Sequence, residues 1–238
     1  MVWDMLVQED LGYDVRFVGS KTNNARNCRA RSGTFDLHHE GHHGVLSVNV
    51  ANHYLEGWLA SSKPEIVQIM LGTKDVSLGR PTSDIIDSYT KIIDLIRASN
   101  PRAKILVDLL IPIALDLDPV GIDALDPVGS DTLDTLNKRI PSWVDTLNKR
   151  IPSWAEEKSS ADSPITIADC STGAGYTLDM NRDGMHPNVT GDELIANQIG
   201  PLLVRYVRDV IAERQRSDLL GPDRSGEGNE ELRKIRNL

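Results

Sequence analysis

The chain has 238 residues, enough for one domain with a sizeable core. Its 35 Asp and Glu outweigh 26 Lys and Arg, giving a net charge of −9. That balance argues against a nucleic-acid or anionic-membrane partner and suits a neutral glycan or small ester. The longest apolar run, residues 105–115, is interrupted by Asp108 and is far too short to span a bilayer.

Met1 leads straight into an amphipathic pattern with no signal-peptide form. Trp3, Leu6, Val7 and Leu11 fall at helical spacing, Gly12 is placed to end that helix, and Asp14-Val15-Arg16-Phe17-Val18 reads as a short strand. Gly19-Ser20-Lys21-Thr22 lacks the G-K-[ST] of a phosphate loop. A polar loop over 21–34 leads to His38-His39-Glu40-Gly41-His42-His43-Gly44. There His39-Glu40-x-x-His43 formally matches the zinc-peptidase pattern, but Gly41 and Gly44 oppose the helix that would put both imidazoles on one face. No metal site is expected. Residues 45–59 can be helical. After Pro64, the continuous apolar run 66–71 predicts a parallel strand covered on both faces, with Gly72-Thr73-Lys74-Asp75 at its carboxyl end, where ligands gather in open α/β sheets.

Ser83 or Asp84 can cap a helix with Ile85, Ile86, Tyr89, Ile92, Ile93 and Ile96 on its apolar face, which Asn100-Pro101 stops. A strand follows over 103–111, ended by Pro112. Two repeats come next. Leu117-Asp118-Pro119-Val120-Gly121 recurs eight residues on from Leu125, and the ten residues from Asp134 to Trp143 recur unchanged from Asp145 to Trp154, eleven on. They are too few and too short for a solenoid. Residues 165–169 predict the last strand. Thr190-Gly191-Asp192-Glu193 reads as a capping box opening a helix to about Ala212, with Pro201 as a kink. Asn188-Val189-Thr190 is a glycosylation sequon. The tail 213–238 is charged and expected to be flexible. Cys28 and Cys170 permit one disulfide or two buried thiols.

The chemistry concentrates at Asp183-Gly184-Met185-His186-Pro187, where Gly184 and Pro187 dictate a loop. A carboxylate three residues before an imidazole can hold its Nδ1–H, fix the tautomer and leave Nε2 to take a proton from a hydroxyl nucleophile. A turn histidine beside a helix-capping aspartate is the alternative reading of the same pair.

Asn181-Arg182-Asp183-Gly184-Met185-His186-Pro187-Asn188 with Thr190-Gly191 resembles the last block of the SGNH (GDSL) hydrolases, especially the acetyl-xylan-esterase-like branch of carbohydrate esterases. Phe17-Val18-Gly19-Ser20, the run His39 to Gly44, and Ile69-Met70-Leu71-Gly72-Thr73-Lys74-Asp75 resemble earlier blocks of that branch. The resemblance covers about residues 3–210. It implies a three-layer α/β/α flavodoxin-like fold over 1–212, and relatives carry one copy of the Ile-Pro-x-Trp segment, so 116–143 reads as a surface insertion or duplication that could leave Trp143 exposed. It implies ester hydrolysis: a serine attacks the acyl carbonyl, His186 moves the proton, Asp183 orients His186, and Gly44 N–H steadies the oxyanion, with Gly72 and position 74 beside it. Position 74 holds Lys74 where the family has asparagine. The family's Gly-Asp-Ser block and the first, central strand that carries it are not in this sequence. Ser20 is the nearest substitute nucleophile by motif. A noncatalytic, carbohydrate-binding pseudoenzyme is therefore the second reading. The expected partner is a small ester or acetylated carbohydrate, with no nucleic acid, no membrane and no cofactor; the chain itself is expected to be a monomer, secreted by family analogy.

Overall fold

The computed structural model describes residues 1–24, 29–33, 35–115 and 133–220. The apolar runs expected to be strands form a small parallel sheet, β1 (Ile66–Ile69), β2 (Lys104–Asp108) and β3 (Ile165–Ala168), in the order β1-β2-β3. Ile66 lies opposite Lys104, and Ile105 opposite Ile165. All five residues of β2 are buried, so the centre of the sheet is covered on both faces. The cover comes from α5 (Thr82–Ser99) and α6 (Leu133–Lys158), which pack on each other, and from α7 (Val189–Leu220), which packs on β2 and β3. This is the mixed α/β architecture expected. No helix of the described residues is long and apolar enough to cross a membrane.

The helical faces follow the predicted periodicity. Ile85, Ile86, Tyr89, Ile92, Ile93 and Ile96 of α5 are all buried, and Asn100 ends the helix. Its start is different: Pro81 stands at the cap with no side-chain bond, so neither Ser83 nor Asp84 caps it. α1 (Val2–Gln8) ends before Gly12. A short helix α2 (Ser47–Asn49), a π-helical turn (Val50–Tyr54) and α3 (Leu55–Ser62) run together over the stretch expected to be helical. A five-residue α4 (Thr73–Ser77) follows β1. α7 extends to Leu220, past the expected end near Ala212. The tail from 221 on, the eight-residue repeat and Cys28 lie outside the described residues. Cys170 is a buried free thiol, and burial, with Asp108 and Asp169 nearby, pushes its pKa up to about 12.

Residues 14–18 do not form the expected strand. They are held by side chains instead: Val15 and Phe17 pack in a second, smaller cluster with Leu6, Leu11, Val204 and Val207, and Trp3 meets Phe17 edge-on at 5.6 Å. A strand needs a neighbour, and among the described residues none pairs with it. Lys104 N–H donates to Glu65 O at 2.9 Å, and alternate residues of a parallel strand turn their peptide groups to opposite sides, so Ile66 and Gln68 direct theirs away from β2. On that side, among the described residues, lies no strand but a cleft of about 950 Å³ lined by residues 14–20, Ile66, Gln68, Leu203 and Val207.

The ten-residue repeat is the second correction. Residues 133–143, expected on the surface, are continuous with the following copy in α6, and Trp143 is half-buried against the core rather than exposed. Eleven residues carry a helix through about three turns plus 20°, so both copies present the same face. Ile140 and Ile151 are each fully buried. Both asparagines make the same bond pair to the backbone leaving β2. Asn148 accepts from Leu110 N–H and donates to Leu110 O, each at 2.8 Å. Asn137 accepts from Leu115 N–H at 2.7 Å and donates to Leu115 O at 2.8 Å. Replacing either asparagine by alanine strands two buried peptide groups. Asn137→Ala and Asn148→Ala should each lower the unfolding free energy by about 1–3 kcal/mol in urea melts, and the losses should roughly add.

Asp108 ends β2 fully buried. Gln68 Nε2 donates to its Oδ2 at 2.7 Å, while Oδ1 has no partner among the described residues. Burial raises the pKa to about 7 against the opposing pull of Gln68. Between about pH 4 and pH 7 the unfolded chain releases a proton that the folded chain keeps, so stability falls as pH rises through that window. Asp108→Asn should remove this fall, worth up to about 4 kcal/mol, and raise Tm at pH 8 more than at pH 5. Thermal melts at the two pH values test it, and parallel losses in both proteins would refute it.

Candidate active site

The loop 181–187 is a tight hairpin built by its own sequence. Asn181 and Pro187 form an antiparallel bridge, Arg182 N–H donates to His186 O at 2.9 Å, and Gly184, at φ +76°, takes the left-handed turn. The hairpin is fastened to the chain beyond β2. Asn181 Nδ2 donates to Pro112 O at 2.8 Å, Ala114 N–H donates to Gly184 O at 2.8 Å, and Tyr176 hydroxyl donates to Asn181 Oδ1 at 2.7 Å. The cap of α7 is Asn188, whose Oδ1 accepts from Gly191 N–H at 3.1 Å; Thr190 is not the cap. Asn188 Nδ2, the atom a sequon glycan would use, donates to Asp179 O at 2.8 Å.

Asp183 and His186 are paired inside this hairpin. Asp183 Oδ2 accepts from His186 Nδ1 at 2.8 Å, and Oδ1 accepts from the backbone N–H groups of His186 at 2.7 Å and Met185 at 3.1 Å. Partial burial raises the carboxyl's pKa, but the bonds from His186 and Met185 outweigh it and bring the group down to about 2. The imidazole is thus held in the tautomer with hydrogen on Nδ1, and its Nε2 edge is the one that can receive a proton. The site is half open: His186 is 37% and Asp183 45% exposed at the side chain.

The histidine segment lies against this pair without forming a helix. His43 stacks on His186 with ring centres 5.6 Å apart. His39 is committed elsewhere, its Nδ1 accepting from Gly41 N–H at 3.0 Å and its Nε2 donating to Asn23 O at 3.2 Å. Glu40 gathers three donors: Ser20 N–H at 2.8 Å, Ser20 hydroxyl at 2.6 Å and His42 Nε2 at 2.6 Å. Burial raises the Glu40 pKa, and these bonds bring it below its ordinary value. Ser20 therefore gives its hydroxyl to Glu40. Among the described residues no serine hydroxyl is bonded to His186.

Gly44 sits at φ +66° on the surface, with open space where a Cβ would be. Gly72 is buried at φ +106° and begins α4; a Cβ there would press on Leu147 and Tyr89 at 3.4 Å. Lys74 follows in the first turn, half-buried. A buried carboxylate ties these two regions together: Asp75 accepts from Ser47 N–H and Ser47 hydroxyl, both at 2.9 Å. Sequence reasoning did not single out Asp75, Ser47, Glu40 or Asn181 as site-builders. For Asp75, Glu40 and Asn181 the signal was a charged or amide residue inside or beside a glycine-containing turn, where a buried polar group needs partners; Ser47 carried none.

Residues 12–194 match the GDSL-like Lipase/Acylhydrolase family. No curated protein matches the chain. Among solved structures it is similar to an acetyl esterase serine-to-alanine mutant with acetate ion, at 40% identity over 88% of this chain and 90% of that one, TM-score 0.74. It is similar also to a carbohydrate esterase family 3 protein from Talaromyces cellulolyticus, at 40% identity over 87% of this chain and 89% of that one, TM-score 0.73. A family 3 carbohydrate esterase of Clostridium thermocellum, 20% identical over 88% of this chain and 86% of that one with TM-score 0.62, shares the fold.

The Asp183 carboxyl should stay ionised far into acid. The stability it lends the folded hairpin is complete above its ordinary pKa and is lost as pH falls from about 4 towards 2. Carboxyl-carbon NMR titration of the chain against Asp183→Asn should show one resonance with a midpoint near 2, and a midpoint at the ordinary aspartate value would contradict the pairing.

Proposed function

Because the chain belongs to the GDSL-like lipase/acylhydrolase family, we propose that it hydrolyses acyl esters, acetyl groups on carbohydrate in particular, with His186 as base and Asp183 as its orienter. The observation that carries this is the 2.8 Å bond from His186 Nδ1 to Asp183, which leaves Nε2 as the proton-accepting edge. In the reaction a hydroxyl presented to Nε2 loses its proton to His186 as its oxygen attacks the ester carbonyl. Asp183 stabilises the imidazolium, and the proton then passes to the departing sugar oxygen; a water that gives its proton to Nε2 next attacks the acyl group left on the hydroxyl, releasing the acid as that hydroxyl regains its proton. Gly44 N–H and the Lys74 ammonium are the candidates to face the developing oxyanion, with Gly72 giving the turn that presents Lys74. Losing the fixed amide that asparagine supplies costs about a hundred- to a thousandfold in a protease precedent, and a flexible ammonium is a poor replacement, so a low rate is expected. The 40% identical acetyl and carbohydrate esterase structures support the choice of ester.

A second reading is favoured by one contact. Ser20, the candidate nucleophile by motif, donates its hydroxyl to Glu40 at 2.6 Å. With its motif serine so committed, the chain would bind carbohydrate without cleaving it.

A fluorophosphonate labels an activated serine, and intact mass with peptide mapping locates the adduct. The esterase reading expects one adduct and acetate release from p-nitrophenyl acetate, both abolished in His186→Ala. A folded chain with neither adduct nor acetate release bears out the noncatalytic reading.

A further inference from the structure

A run of aromatic rings leads away from the His186 site. His43 stacks on His186; its chain neighbour His42 stacks on Trp58 with centres 4.4 Å apart and planes 4° from parallel; Trp58 stacks on Tyr54 at 5.6 Å and 19°. Trp58 is half-buried and lines the cleft, and Tyr54 is 45% exposed.

Two features fix these rings in place. Glu40 holds His42 by its Nε2, so the imidazole face against Trp58 cannot rotate away. The π-helical turn Val50–Tyr54 places the rings on their helix: Val50, Ala51 and Leu55 are buried, while Asn52, His53 and Tyr54 are exposed in succession. Ala51, Leu55 and Leu59 recur every four residues on the buried side, so residues 52–54 fall together on the side that faces water. The outward residues are one aromatic ring, one imidazole and one amide, and the amide oxygen is held by Lys91 Nζ at 2.7 Å.

We propose that Tyr54, backed by Trp58, forms a stacking platform for a pyranose ring of a neutral polysaccharide, a subsite reached from the His186 centre along this run of rings. The inference rests on the carbohydrate-ester function proposed above and names where the sugar chain lies. One face of a pyranose is a sheet of C–H groups with the hydroxyls at its rim. An aromatic face, negative at its centre, attracts those C–H groups, and polar side chains around it take the hydroxyls. Tyr54 offers the face, and Asn52 and His53 stand beside it in sequence and in exposure. The run begins at His42, the chain neighbour of the ring stacked on His186, and Tyr54 stands two stacked rings farther on. An anionic ligand fits less well at a net charge of −9.

The test is isothermal titration of the full chain with xylotetraose, cellotetraose and mannotetraose, none of which carries an ester. The wild-type chain is expected to bind at least one of them. Tyr54→Ala should weaken that binding about three- to tenfold, and Tyr54→Phe, which keeps the ring, should retain it. Circular dichroism should show all three proteins equally folded, since Tyr54 lies outside the core. No binding of any of the three sugars by the folded wild-type chain overturns the platform, as does unchanged binding by Tyr54→Ala. Hydrolysis of p-nitrophenyl acetate is measured alongside. Hydrolysis without sugar binding overturns the platform and leaves the esterase reading; Tyr54-dependent sugar binding without hydrolysis keeps the platform and removes the esterase.

Discussion

Residues 109–115 run through the core beyond the end of β2 with no strand bond past Ala168, and buried peptide groups must still be satisfied. The rest of the molecule answers that demand. Leu109 N–H reaches Ala168 O at 2.9 Å, Asn148 and Asn137 serve Leu110 and Leu115, Asn181 takes Pro112 O, and Gly184 O takes Ala114 N–H. The last two partners belong to the hairpin that carries Asp183 and His186. The imidazole is therefore positioned by the same bonds that let the core strand end, and the site inherits the rigidity of the core although its side chains are half open to water.

A similar economy governs the glycine-rich segments. Asp75, buried at the start of α4, holds Ser47, so the loop carrying Gly44 and the turn carrying Lys74 cannot drift apart. Glu40 performs the equivalent task between Ser20 and His42. Asp75 is fully buried and Glu40 half-buried, and each has its oxygens met by donors, the condition under which a charge is tolerated away from water. The hydroxyl that binds Glu40 is thereby drawn away from His186, so one contact both orders the loop and sets the question of the nucleophile.

What the sequence made legible was what is local. The face of α5, the three apolar runs of the sheet and the spacing of Asp183 and His186 are set by a few residues or repeat with one period, and each emerged where expected. The strand expected at 14–18 failed for a non-local reason: its alternating residues are as apolar as a strand's, but pairing needs an edge within about 5 Å, and the edge of β1 faces a cleft. The clamps Asp75 to Ser47 and Asn137 to Leu115 join residues 28 and 22 apart in sequence, and nothing in the residues themselves names the partner. The start of α7 erred by two residues, because Asn188 and Thr190 are both competent caps and the fastening of the hairpin decides between them, and its end erred by eight, at Leu220 rather than near Ala212.

The repeated segment of α6 bears on how such a chain changes length. At 1.5 Å per residue an extra eleven residues lengthen a helix by about 16 Å, yet rotate its face by only about 20°. An insertion of nine would turn the added face by about 180° and expose Ile140 and Trp143 to water. Lengths are thus filtered by geometry before any contact is tested, and eleven is among the few steps by which a buried helix in this fold can be extended by copying itself. The copied asparagine then finds an unsatisfied backbone at the matching distance, so the innovation arrives already anchored.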